Sequence, residues 1–295
     1  MSIGLKKRIY LDNAASTPLD LRVKQEMDRA VRLYGNPSSF NDAGRETRKK
    51  LEESRLIVAR FIGARSEEII FTSSGSEANN LAIFGLAGLS SKRGEIITTP
   101  VEHPSVLELL KRLEKLGLPA GRQGWKITCL KVNKEGLIDL KDLENKLNPE
   151  VALVSIIYAN NEIGTIQPIV KVSKIIKNSG LKALLHIDAC QAAGYLDMNV
   201  NNLGVDLMTF NGAKIYGPKG AGVLYKKRGV KLNSLICGGN QEYGLRAGTE
   251  NLPALAGLAK AVSLIDPPSP PTSPRLRRSK KASEGRSKKE SNRLS

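Results

Sequence analysis

Two hydrophobic periods alternate along most of this chain. Residues 46–61 carry apolar side chains at helical spacing among charges, and residues 105–116 and 170–178 repeat that pattern. Short apolar runs at 68–72, 95–99, 126–132, 151–158, 183–188, 205–210 and 222–225 have strand length. Residues 78–89 are apolar with few breaks and read as a buried helix. The alternation runs from residue 9 to about residue 265. It predicts an α/β fold, a mostly parallel mixed sheet flanked by helices on both faces.

Two segments depart from the pattern. Residues 118–125, Leu-Pro-Ala-Gly-Arg-Gln-Gly-Trp, are rich in turn formers and read as a surface insertion. From Pro267 onward prolines and serines give way to a Lys/Arg/Ser stretch with almost no apolar residue. Such a stretch buries too little surface to offset its ordering entropy, so disorder is expected there. The expected organisation is an N-terminal arm at 1–15, a large α/β domain at 16–265 and a tail at 266–295.

The tail also changes how the charge is read. The chain of 295 residues carries a net +17, yet residues 275–295 hold nine Lys/Arg against two Glu. The remainder is spread over helical faces such as residues 45–60, which suits solvated surface better than a specific nucleic-acid site. No run approaches the roughly 20 apolar residues of a membrane span, and the start has no signal-peptide core. Cys129, Cys190 and Cys237 are scattered without a CxxC pair. Neither a disulfide framework nor a metal site is expected, and a reducing cytoplasm is.

The chemistry lies at strand ends. Asp188 closes one apolar strand, and Lys214 follows the next, before Ile-Tyr-Gly-Pro-Lys-Gly220. A lysine amine forms a Schiff base with an aldehyde cofactor, and a carboxylate keeps such a cofactor's pyridine nitrogen protonated. The pair therefore suggests pyridoxal 5'-phosphate. Lys219 competes for the lysine's role but suits a surface or phosphate-facing position. Ser73-Ser-Gly-Ser-Glu-Ala-Asn-Asn80 joins a strand to a helix, so Gly75 and Ser76 are placed to meet a phosphate at the helix start. His103, in Val101-Glu-His-Pro-Ser105, also follows a strand and suits stacking on a flat ring. Asn161 and Gln191 sit where a side-chain amide reaches a ring oxygen. Cys190 reads as packing. No glycine pattern has nucleotide-binding spacing.

Taken together, these segments resemble the class V aminotransferases, most closely the NifS/IscS-like cysteine desulfurases. Ile9-Tyr-Leu-Asp-Asn-Ala-Ala-Ser-Thr-Pro18, Gly35-Asn-Pro-Ser-Ser39, Gly44-Arg45, Val101-Glu-His103, Ala159-Asn-Asn-Glu-Ile-Gly164, Asp188-Ala-Cys-Gln191, Lys214-Ile-Tyr-Gly-Pro-Lys-Gly220 and Arg246-Ala-Gly-Thr-Glu250 carry the likeness. It implies fold type I of the pyridoxal-phosphate enzymes and a homodimer. Lys214 is then the Schiff-base lysine and Asp188 the partner of the ring nitrogen. His103 stacks on the ring, and Gln191 and Asn161 meet its substituents. Gly75 and Ser76 hold the phosphate, and Thr249 reaches the phosphate of the neighbouring subunit. The implied reaction takes sulfur from L-cysteine, giving L-alanine and a persulfide for iron–sulfur cluster assembly or tRNA thiolation.

The chain departs from that pattern in three places. Asn211 stands where Ser is common and is kept as a cofactor-binding candidate; Ala213 replaces a His before the lysine. The insertion at 118–125 is longer than usual. The likeness stops near Ile265, so the small C-terminal domain, with its persulfide-forming cysteine and carboxylate-binding arginine, is expected to be largely missing. Two other functions fit the same residues. One is a different class V enzyme, such as a selenocysteine lyase or aminotransferase. The other is a non-catalytic cofactor-binding remnant.

Overall fold

A computed structural model describes residues 9–88, 94–115 and 125–265. Seven strands form one sheet: β1 (Ile69–Thr72), β2 (Glu95–Thr98), β3 (Lys126–Cys129), β4 (Val151–Ile157), β5 (Leu184–Asp188), β6 (Leu207–Asn211) and β7 (Gly222–Lys226). Eight helices accompany them: α1 (Leu21–Ala30), α2 (Asp42–Ile62), α3 (Gly75–Ala87), α4 (Pro104–Lys115), α5 (Leu140–Lys146), α6 (Ile169–Asn178), α7 (Val200–Leu203) and α8 (Leu252–Ser263). The sheet order is β1-β7-β6-β5-β4-β2-β3. Strands β2 to β6 pair in parallel, whereas β7 runs antiparallel to both β6 and β1. β1 therefore points the same way as β6. The carboxyl ends of β1, β2, β4, β5 and β6 all reach one edge, where ligands of open α/β sheets bind.

The sheet is covered on both faces. Side chains of α1, α2, α6 and α8 share one apolar cluster with Ile69, Phe71, Ile97, Ile187 and Phe210. Side chains of α3 and α4 share the other with Ile70, Ile96, Leu153 and Leu224. Neighbouring residues of a strand thus go to opposite clusters, as the pleat dictates. Each fully buried Ile or Leu contributes about 1.5–3 kcal/mol by leaving water. Trp125 corrects the reading of 118–125 as surface: it is buried in the second cluster, and a Cβ on Gly94 would fall 2.4 Å from its ring. The rest of that insertion, the tail from residue 266 and the first eight residues lie outside the described residues.

Arg55 corrects the reading of residues 45–60 as solvated. It is 2% exposed. Its guanidinium grips the Glu242 carboxylate at 2.7 and 2.8 Å and donates to the Ile69 carbonyl at 2.8 Å. Glu242 in turn accepts from the Phe71 amide at 2.8 Å. The outer edge of β1 is thereby satisfied by side chains rather than by another strand. Phe71 and Tyr243 flank the guanidinium at 4.7 and 5.3 Å. Glu242 and Tyr243 hold left-handed backbone angles, φ 48° and 60°, that this packing imposes. No helix among the described residues is long and apolar enough to cross a membrane.

Candidate active site

A cavity of about 600 Å³ opens at the carboxyl edge of the sheet. Asp188, the last residue of β5, forms part of its floor and is 3% exposed. Both carboxylate oxygens are held: Oδ1 accepts from the Cys190 amide at 3.0 Å and Oδ2 from Asn79 Nδ2 at 2.8 Å. Donors on both oxygens fix the orientation of the carboxylate.

Asn79 was not singled out in the sequence, yet it joins two parts of the site. Its Nδ2 also donates to Ser105 Oγ at 2.9 Å, and Ser105 Oγ lies 2.8 Å from His103 Nδ1. The Ser105 amide donates to the same Nδ1 at 3.1 Å. Because an amide only donates, the neutral His103 ring carries its proton on Nε2. Asp188 and His103 are thus linked through two side chains. The second histidine, His186, has another role. It is fully buried between Ser155 and Thr209, and burial pushes its pKa down to about 4. It is a satisfied core residue.

The start of α3 also lines the cavity. Ser74 caps the helix, its Oγ accepting from the Glu77 amide at 3.1 Å. The Gly75 and Ser76 amides have no partner among the described residues, as expected for a first helical turn. Glycine is required at 75, because a Cβ there would sit 2.6 Å from Cys190 Sγ. Asn211, the last residue of β6, donates to that sulfur at 3.2 Å and leaves its own Oδ1 buried without a partner. Asn79 Oδ1 is likewise buried and unpartnered. Burial, and then the Asp188 carboxylate, push the Cys190 thiol well above its usual range, so it stays protonated.

Lys214 ends the short turn after β6 and lines the same cavity. Its Nζ donates to the carbonyls of Ala14 and Ala15 at 2.6 and 2.7 Å. Gln191 Nε2 shares the Ala14 carbonyl at 2.7 Å. The N-terminal arm is pinned there by Thr17, which bonds the Ala213 carbonyl and the Tyr216 amide. Lys214 and Asp188 therefore share a cavity without touching. The arm's carbonyls carry no side-chain signal that sequence reading could use. Asn161 and Lys219 also line the cavity, whereas Thr249 lines a smaller neighbouring one with Arg246 and Glu250.

Glu102 lies beneath the turn that carries His103. Its Oε1 accepts from Thr99 Oγ1 at 2.6 Å and from the Ile157 amide at 2.9 Å, while Oε2 is buried without a partner. Burial raises its carboxyl from 4.5 to about 8, outweighing those two bonds, and the Asp188 charge adds to the rise. The folded state therefore keeps a proton that the unfolded chain releases. Stability should fall as pH rises from about 5 to about 8. Glu102→Gln keeps the acceptor and removes the titration. Its stability relative to wild type should rise by roughly 3 kcal/mol across that range in urea unfolding. A constant difference between the two proteins would contradict a protonated Glu102.

The profile of the aminotransferase class-V family matches residues 9–268. The chain belongs to that family. Among curated class-V relatives it is 48% identical over 262 residues to a cysteine desulfurase IscS of Dictyoglomus turgidum, covering 88% of this chain and 64% of that one. A putative cysteine desulfurase, IscS 1, of Bacillus subtilis is 44% identical, with 88% and 66% covered. The chain thus spans a little under two thirds of these relatives' length. Among solved structures, a NifS-like protein superposes with a TM-score of 0.83 at 39% identity, covering 88% of this chain and 70% of the other. A structure described as SspA in complex with cysteine gives 0.81 at 36% identity, covering 88% and 73%. Class-V enzymes use pyridoxal phosphate. The cavity fits that cofactor: open helix amides and a glycine-lined cradle at one end, an anchored carboxylate on the floor, and a lysine at the mouth.

Proposed function

We propose that this class-V chain carries the cofactor-holding part of a cysteine desulfurase. One observation supports the reading above all. Asp188, Lys214 and the open first turn of α3 meet in a single cavity of about 600 Å³. The names of the similar proteins agree with it.

When bound, pyridoxal phosphate supplies an electron-withdrawing ring that makes an amino acid's α-hydrogen acidic. The Gly75 and Ser76 amides would hold its phosphate, and Asp188 a proton on its ring nitrogen. Lys214 Nζ, once released from the Ala14 and Ala15 carbonyls, moves the substrate's α-proton. His103, with its proton on Nε2, would cover the ring and could donate that proton. Overall, L-cysteine and an acceptor thiol would give L-alanine and a persulfide: one C–S bond breaks, one S–S bond forms, and the thiol's proton ends on carbon. Cys190 is the cysteine that lines the cavity, and its raised pKa suits it poorly as acceptor.

The reading extends to a homodimer in the cytoplasm that passes sulfur to an iron–sulfur scaffold or a tRNA-thiolation partner. Large apolar side chains uncovered in the single chain support the dimer: Leu11, Tyr34 and Phe40 are each more than four-fifths exposed. Thr249 would then meet the partner subunit's phosphate. The test is incubation of the chain with pyridoxal phosphate, L-cysteine and dithiothreitol. Alanine and sulfide should appear in equal amounts. Release from selenocysteine but not from cysteine would overturn the choice of substrate.

A further inference from the structure

The first turn of α3 already carries an anion. Glu77, its third residue, turns back so that Oε2 accepts from the Ser73 amide at 2.8 Å and from the Ser73 hydroxyl. A carboxylate at this place strengthens the helix start. It also puts a negative charge beside the amides of Gly75 and Ser76, where a phosphate would have to sit. Arg246 answers that charge: its Nε donates to Glu77 Oε1 at 3.0 Å. Burial pushes the Glu77 carboxyl upward, but the bonds from Arg246 and Ser73 outweigh it, so the group is ionised and paired. Both side chains are about three-quarters or more covered, which limits screening by solvent. Arg246 comes from the segment after β7. That segment is tied back to the sheet through the Arg55–Glu242 pair, and Ser73 and Gly220 line both the main cavity and the smaller one beside Arg246.

We infer that Arg246 and Glu77 form a charge-compensating pair that sets the affinity of the α3 start for a phosphate group. The inference rests on the cofactor reading. Arg246 acts through Glu77 and is a positioning residue. With it in place, Glu77 orders Ser73 at no electrostatic cost to the phosphate. Without it, an unpaired carboxylate and a phosphate compete for one helix end.

The test compares pyridoxal phosphate with pyridoxal, which has the same ring and aldehyde but no phosphate. Dissociation constants are measured by absorbance titration for wild type, Arg246→Met, Glu77→Gln and the double variant. Arg246→Met should weaken pyridoxal phosphate at least about tenfold, or about 1.4 kcal/mol. Pyridoxal should bind it as it binds wild type. The double variant should regain most of the loss, since Gln at 77 can still accept from Ser73 without a charge. Two results would overturn the pair's role. One is equal weakening of both ligands, which is the mark of a disordered site. The other is no recovery in the double variant. A wild type that binds neither ligand would overturn the cofactor reading and this inference with it.

Discussion

Lys214→Ala is expected to abolish the near-visible absorbance band that forms when pyridoxal phosphate is added to this chain. It should also lower any turnover of L-cysteine by about 10⁴-fold or more, the upper end of what one proton-transferring group contributes. The reason is positional. Lys214 sits at the end of a turn fixed by the Gly212–Ile215 and Gly212–Gly217 backbone bonds, and its amine lines the cavity. Only two carbonyl contacts, to Ala14 and Ala15, hold it when no aldehyde is present. Losing these costs little stability, so the variant should fold and the effect should be chemical. Lys219, exposed at the rim of the same cavity, is the control. Lys219→Ala should keep the band. Loss of the band in Lys219→Ala and its survival in Lys214→Ala would exchange the two roles.

Asp188→Asn carries the second large effect. The amide keeps the shape of the carboxylate but not its charge, and it cannot hold a proton on a pyridine nitrogen. Turnover should fall by roughly 10²–10⁴. Stability should fall as well. Asp188 accepts from both the Cys190 amide and Asn79, whereas an asparagine presents one acceptor and one donor to those two donors. One buried group is left without a partner, at about 1–3 kcal/mol. Urea unfolding separates that loss from the chemical one. Full turnover in Asp188→Asn would show that the carboxylate is structural.

The fold was legible where the hydrophobic period was long. The run at 46–61 became the middle of α2, and all seven apolar runs became strands. The start of α3 was missed by three residues, because Gly75, Ser76 and Glu77 have no apolar side chain to show a period. Its signal was instead the Ser74-x-x-Glu77 pattern of a capped helix. α1, α8 and the short α5 and α7 were not singled out.

In the site, Asp188, His103 and Lys214 were legible because Asp188 closes a strand and the other two follow one, and parallel strands bring their ends together. Asn79 and Ser105 were not. Their importance comes from bonds spanning 109 and 26 residues. Arg55 was misread for a similar reason: its partner Glu242 lies 187 residues away, and nothing in α2 marks it as the buried charge.

The central claim is that this cavity holds pyridoxal phosphate on Lys214, facing Asp188. The most direct measurement is borohydride reduction of the cofactor-loaded chain, followed by peptide mass mapping. The account predicts a single pyridoxyl group on the peptide containing Lys214. A label on Lys219, labels scattered over surface lysines, or no label at all would contradict it.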